Sequence, residues 1–183
     1  MILIAITGAS GIIIAVKLLK IIKDKGIDTE LIISKAAEKV IEAETEYKIS
    51  DLRQFSTKYY EVDDLEAPPA SGSHKIDAMI IVPCTMKTLA AIANGYADNL
   101  ITRAADVMIK EKRKLILIAR ESPLSVIHLE NMLKLARLGV IIAPPIPSYY
   151  IKPESIDALV NYTVGRILDQ IGIDIGIKRW GEM

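Results

Sequence analysis

The sequence is poor in several chemically loaded residues: one cysteine, one tryptophan, one phenylalanine and two histidines in 183 positions. A lone thiol, Cys84, excludes an internal disulfide and points to a reducing compartment, with the cytoplasm as the default. Neither His74 nor His128 stands at a metal-like spacing from Cys84, so no metal site and no Cys–His nucleophilic pair is expected. Cys84 reads as a small buried residue. Long apolar runs are missing too; Gly11 to Val16 and Ala78 to Pro83 fall well short of the ~18 residues that span a bilayer. Charge of one sign is not in excess, because 23 Lys and Arg balance 23 Asp and Glu. No broad positive field exists to attract nucleic acid or an acidic membrane. Ile2 to Ile6 follows Met1 directly, without the basic opening and small-residue cleavage site of a secretory signal, and reads as a first strand.

Apolar residues, by contrast, are plentiful. They make up 51% of the chain, and the mean hydropathy of +0.30 is high for a small domain. Part of that surface is expected to lie between subunits. The length suits one domain, residues 1–183. Five short runs are apolar nearly throughout: Ile2–Ile6, Thr29–Ile33, Ala78–Val82, Leu115–Ala119 and Val140–Ala143. Continuous apolarity marks strands covered on both faces. Helical patterns fill the gaps at Ser10–Lys25, Ala36–Glu46, Thr85–Ala93, Asn99–Lys112, Ser125–Leu138 and Glu154–Ile171. The alternation predicts an α/β fold: a single-domain, Rossmann-like (flavodoxin-like), doubly wound parallel sheet with helices on both faces. Asp63 to His74, rich in Pro, Ser and Gly, reads as a long loop of the kind that often forms a lid.

In such sheets ligands bind beyond the carboxyl ends of the strands, so the residues there are read together. They are Thr7-Gly8-Ala9-Ser10-Gly11, Ser34, Pro83-Cys84-Thr85-Met86-Lys87-Thr88, Arg120-Glu121 and Pro144 to Tyr150. Small hydroxyls and two cations are expected to converge on one edge. Gly8 and Gly11 permit a tight turn whose amides face an anion, with phosphate the natural guest. The third glycine of the dinucleotide fingerprint is missing, and Ser34 stands where an acidic ribose-binding residue is expected, so FMN fits better than NAD. Taken alone, the turn serves equally well as a plain strand-to-helix connection. Ser34 and Thr85 also read as helix N-caps, a role compatible with ligand binding. Arg120 needs a partner at the end of an apolar strand; Glu121 is either that partner or a titratable catalyst. Lys110, within Lys110–Lys114, reads by itself as a solvated helix end. Tyr149 and Tyr150 close over an aromatic ligand or form an interface.

These residues carry a resemblance. From Thr7 to about Gly172 the chain resembles the flavin prenyltransferases of the UbiX type. The matching pieces are Thr-Gly-Ala-Ser-Gly at 7–11, Ala67 to Ser73, Ile92 to Leu100, Thr102 to Val107, Arg120 to Leu124 and Ala143 to Pro147. The resemblance implies that reduced FMN is a co-substrate, taking a dimethylallyl group from dimethylallyl monophosphate at flavin N5 and C6. The product, prenylated FMN, would serve a partner decarboxylase.

The resemblance also assigns residues. It implies FMN contacts at Gly8, Ala9, Ser10, Ser34, Thr85, Met86, Lys87, Thr88 and Arg120, and donor contacts at Tyr150, Arg166 and Lys110. Lys110 is expected from either the same or a neighbouring subunit. Ser10, Glu44, Lys110 and Glu121 become the catalytic candidates, with Glu121 or the released phosphate as base, and the assembly a homododecamer. Because the leaving group is a monophosphate, fixed Arg and Lys charges can replace magnesium, so the reaction is expected to be metal-independent. Thr85 stands where serine is usual and keeps the hydroxyl. The alternatives are a flavin-dependent cysteine decarboxylase, whose Asn and Trp are absent from Pro83–Leu89, and a non-catalytic FMN electron carrier. The tail from about 174 to 183 reads as an interface or as disordered.

Overall fold

The computed structural model describes residues 1–181. In chain order the elements are β1 (Ile2–Ile6), α1 (Ile12–Asp24), β2 (Thr29–Ile33), α2 (Lys35–Glu44), α3 (Ile49–Arg53), β3 (Lys58–Glu61) and β4 (Ala78–Cys84). There follow α4 (Met86–Ala93), α5 (Leu100–Lys110), β5 (Lys114–Ala119), α6 (Val126–Arg137), β6 (Ile141–Ile142) and α7 (Ile156–Asp169). All strand pairs are parallel, in one sheet of order β3-β2-β1-β4-β5-β6. This is the expected doubly wound α/β architecture.

Alternation along each strand divides the core. Leu3, Ala5, Met79, Ile81, Leu115 and Leu117 pack against α4, α5 and α6. Ile4, Ile6, Ile80, Val82, Ile116 and Ile118 pack against α1, α2, α3 and α7. Burying a side chain of this size contributes about 2 kcal/mol, so a sheet apolar on both faces holds two helical layers. The strand order reverses beside β1, where β2 and β4 flank it on opposite sides. The loops at that reversal diverge and leave a crevice at the carboxyl edge.

Two elements were not expected. Lys58-Tyr59-Tyr60-Glu61 is an edge strand with only Tyr60 buried, so it lacks the continuous apolarity of the inner strands. Helix α3 has five residues, too few to display a helical period. At the other edge, the expected strand Val140–Ala143 shrinks to two residues. The segment 63–74 is no free lid. Arg103 Nε donates to the Ala70 carbonyl at 3.0 Å, and Arg113 donates to the carbonyls of Gly72 and His74 at 2.7 and 2.6 Å. Beneath it His74 Nε2 lies 3.0 Å from both oxygens of buried Glu30, which also accepts from Tyr60 at 2.9 Å. The segment is thus a strap running from the carboxyl end of edge strand β3 to the amino end of the inner strand β4.

Candidate active site

At the end of β1, Thr7 makes three bonds that set the site's floor. Its N–H and hydroxyl donate to the Pro83 carbonyl at 3.2 and 2.8 Å, and its Oγ1 accepts from the Thr85 N–H at 2.9 Å. Thr7 is only 2% exposed, so these bonds replace the water it has lost. They fix Thr85 as the cap of α4, where its Oγ1 accepts from the Thr88 N–H at 3.2 Å. Ser34 caps α2 in the same way, accepting from the Ala37 N–H at 3.2 Å. The two helix starts therefore face one crevice. Gly8 lies between them because a Cβ there would meet the Ala36 Cβ at 2.6 Å.

The crevice has a volume of about 420 Å³ and is bordered by Gly8, Ser34, Thr85, Lys87, Thr88 and Thr102, among others. Lys35 and Asp63, also on its rim, form an ion pair. Two positive helix ends, capping hydroxyls and Lys87 form an anion-binding lining, and the crevice has room for a nucleotide-sized ligand. A phosphorylated flavin such as FMN fits this donor set. Burial of Cys84 pushes its thiol up to about 12, so it is an inert packing group below that floor.

The start of α1 differs from expectation. Gly11, with φ of 105°, turns the chain into the helix. The anion at that helix end is not a ligand phosphate but Glu44, whose Oε2 accepts from the N–H groups of Gly11 and Ile12 at 2.9 and 3.0 Å. Burial opposes ionisation of Glu44. Hydrogen bonds from Ser10, Gly11 and Ile12 and the charge of Arg120 outweigh it, holding the carboxyl below its ordinary range. Ser10, Glu44 and Arg120 thus form one cluster beside the crevice. The Arg120 N–H donates to the Cys84 carbonyl at 3.1 Å. The exposed Glu121 accepts from the Ser122 N–H at 3.0 Å and forms no ion pair with Arg120.

The remaining residues do not converge on that edge. Beyond β6 the chain turns back, so Tyr150 packs edge-on against Tyr162 of α7, with ring centroids 5.9 Å apart and the hydroxyls hydrogen-bonded. Arg166, one turn further on, borders a second cleft of about 220 Å³ with Ala143 to Ser148. Lys114, at the start of β5, donates to the Gln170 carbonyl, which places the end of α7 at the amino edge. Lys110 also lies at that edge, next to Gly72 and 2.8 Å from Glu111. Expected convergence of the strand-end residues on one edge therefore fails for Tyr150, while Arg166 and Lys110, implied as donor contacts by the resemblance, lie away from the crevice of their own chain. The sequence reading also missed Thr7 as a positioning group, as well as Lys35 and Asp63. Their place in the motif and beside the strand ends was the available signal.

Fold and crevice together define a nucleotide-cofactor-binding α/β protein of the flavoprotein class. The model of the family described as Flavoprotein matches residues 1–168. Flavin prenyltransferase UbiX of Methanocaldococcus jannaschii is 52% identical over 183 residues, covering 100% of this chain and 99% of that protein. A crystal structure of AnUbiX (PadA1) in complex with FMN and dimethylallyl pyrophosphate superposes with a TM-score of 0.97 at 48% identity, covering 98% of this chain and 96% of that one. A dodecameric FMN-dependent UbiX-like decarboxylase from Escherichia coli O157:H7 gives 0.95 at 46% identity, covering 98% and 99%. The chain belongs to the flavoprotein family, and within it to the UbiX-type flavin prenyltransferases.

Proposed function

We propose that this chain joins the dimethylallyl group of dimethylallyl monophosphate to reduced FMN, making prenylated FMN for a partner decarboxylase. The observation that carries the reading is the presence of two clefts on one chain: the crevice of Gly8, Ser34 and Thr85, and the separate cleft bordered by Ser148, Tyr162 and Arg166, with Tyr150 packed on Tyr162. A simple flavin carrier has no use for the second. Reduced FMN supplies the electron-rich ring, and its N5 and C6 bond to two different carbons of the dimethylallyl group. Gly8, Ala9, Ser10, Ser34, Thr85 to Thr88 and Arg120 hold it, with its phosphate between the starts of α2 and α4.

Tyr150 and Arg166 hold the donor's phosphate. As the allylic C–O bond breaks, negative charge grows on the phosphate, and a fixed guanidinium stabilises it without reorganisation. Lys110 adds a second cation from a neighbouring subunit. Ser10 and Glu44 stand beside the flavin, and ring closure releases a proton to Glu121 or to the freed phosphate. Because the half-sites of one chain lie apart, a complete site needs a subunit boundary. Exposed Val126, Ile127, Leu129 and Leu133 on α6 suit such an assembly, read as a homododecamer in the cytoplasm. The whole chain acts as one domain; residues 182 and 183 of its tail lie outside the described residues.

The division of labour is tested by Arg166→Ala, assayed anaerobically with reduced FMN. The KM for dimethylallyl monophosphate is expected to rise at least about tenfold, the scale of one charge-assisted hydrogen bond, with FMN affinity unchanged. Equal loss of both contradicts the assignment, and the pyrophosphate donor assayed in parallel identifies the preferred leaving group.

A further inference from the structure

The C-terminal tail is fitted onto α7 next to Arg166. Gly165 provides the seat: a Cβ there would lie 2.3 Å from the Ile177 Cγ2, and Ile177 is buried. Three residues later Trp180 meets the Tyr150 ring edge-on at a centroid distance of 5.0 Å. Between these contacts, Arg179 reaches Asp169 with a two-pronged fork, Nη1 to Oδ2 and Nη2 to Oδ1, each at 3.0 Å. Arg166 reaches the same carboxylate through Nη1 to Oδ2 alone, at 2.8 Å.

We propose that Arg179 is a positioning residue for the prenyl donor: by occupying both oxygens of Asp169, it keeps the Arg166 guanidinium available for the donor's phosphate. The inference rests on the reading of Arg166 as a donor contact. A guanidinium and a carboxylate pair best as a two-bond fork. Asp169 is only 15% exposed and sits one turn from Arg166. Without a competitor it would take Arg166 in that fork, and an incoming phosphate would have to displace a carboxylate. With Arg179 in place, Arg166 spends one donor of its five and the three groups together carry a net positive charge. Asp174, 3.2 Å from Arg179, is 69% exposed and largely screened by water. The tail therefore adjusts the charge at the donor cleft as well as covering α7.

The test is anaerobic steady-state kinetics of the full chain with reduced FMN and dimethylallyl monophosphate. Arg179→Gln is expected to raise the donor KM about tenfold, with FMN affinity within about twofold. Asp169→Asn removes the competing charge; alone it leaves the donor KM unchanged or lower, and combined with Arg179→Gln it brings KM back to within about twofold of the parent. If Arg179 only tethers the tail, the double variant stays as impaired as Arg179→Gln, which overturns the proposal. An unchanged KM in Arg179→Gln, or a raised KM in Asp169→Asn alone, overturns it too. Arg166→Ala separates the two failures. If that change leaves the donor KM intact, the donor-site reading falls and this inference with it; if it raises KM while Arg179→Gln does not, only this inference falls.

Discussion

Glu44 serves the fold directly beside the crevice proposed for the flavin. Its carboxylate caps α1, and the same hydrogen bonds keep it ionised beside Ser10 and Arg120. A carboxyl held below its ordinary value of 4.5 stabilises the folded chain at neutral pH. That contribution fades as the pH falls through the lower folded-state value. Glu44→Gln is expected to cost about 1 kcal/mol at pH 7, the scale of a lost helix cap. The cost should shrink towards pH 3, as followed by urea unfolding at both pH values. Loss of activity larger than the stability cost explains would place Glu44 in the reaction as well.

At the scale of elements, the site depends on how Thr7 ties β1 to β4 and to the cap of α4. Thr7→Val keeps the shape but leaves the Thr85 N–H without its acceptor, at an expected cost of about 1–3 kcal/mol. Thermal melting and an FMN titration check this: both stability and flavin affinity should drop, and unchanged affinity would remove Thr7 from the site's framework. The inner strands were readable because burial on both faces leaves a nearly unbroken apolar run; β1 begins and ends where that run does, whereas β2 opens on the buried polar pair Thr29 and Glu30 before its apolar Leu31–Ile33. Edge strand β3 and the five-residue α3 were not, since one is half solvated and the other shorter than two turns. The crevice residues were legible as strand-end positions. The place of Glu44 at α1 was not, because it depends on a contact across 33 residues.

For the whole molecule, the separation of the half-sites matters most. One chain presents the anion-binding crevice at the carboxyl edge, and Arg166 and Lys110 elsewhere. No sequence pattern reveals this, because the return of residues 144–150 onto α7 is a tertiary event. Mixed oligomers test it. Ser34→Asp, which puts a carboxylate at the proposed flavin-phosphate seat, should be inactive alone, and Arg166→Ala alone should turn over only weakly at a donor concentration well below its raised KM. Dissociated and reassembled together, they should recover about a quarter of the parent activity, since random pairing joins one intact half from each. No recovery would mean that each chain completes its own site.

The product decides which reaction the chain performs. Purified protein incubated anaerobically with reduced FMN and dimethylallyl monophosphate should release, on extraction, a flavin heavier by one prenyl unit in the mass spectrum. Recovery of unmodified FMN from protein that binds both compounds would contradict the account.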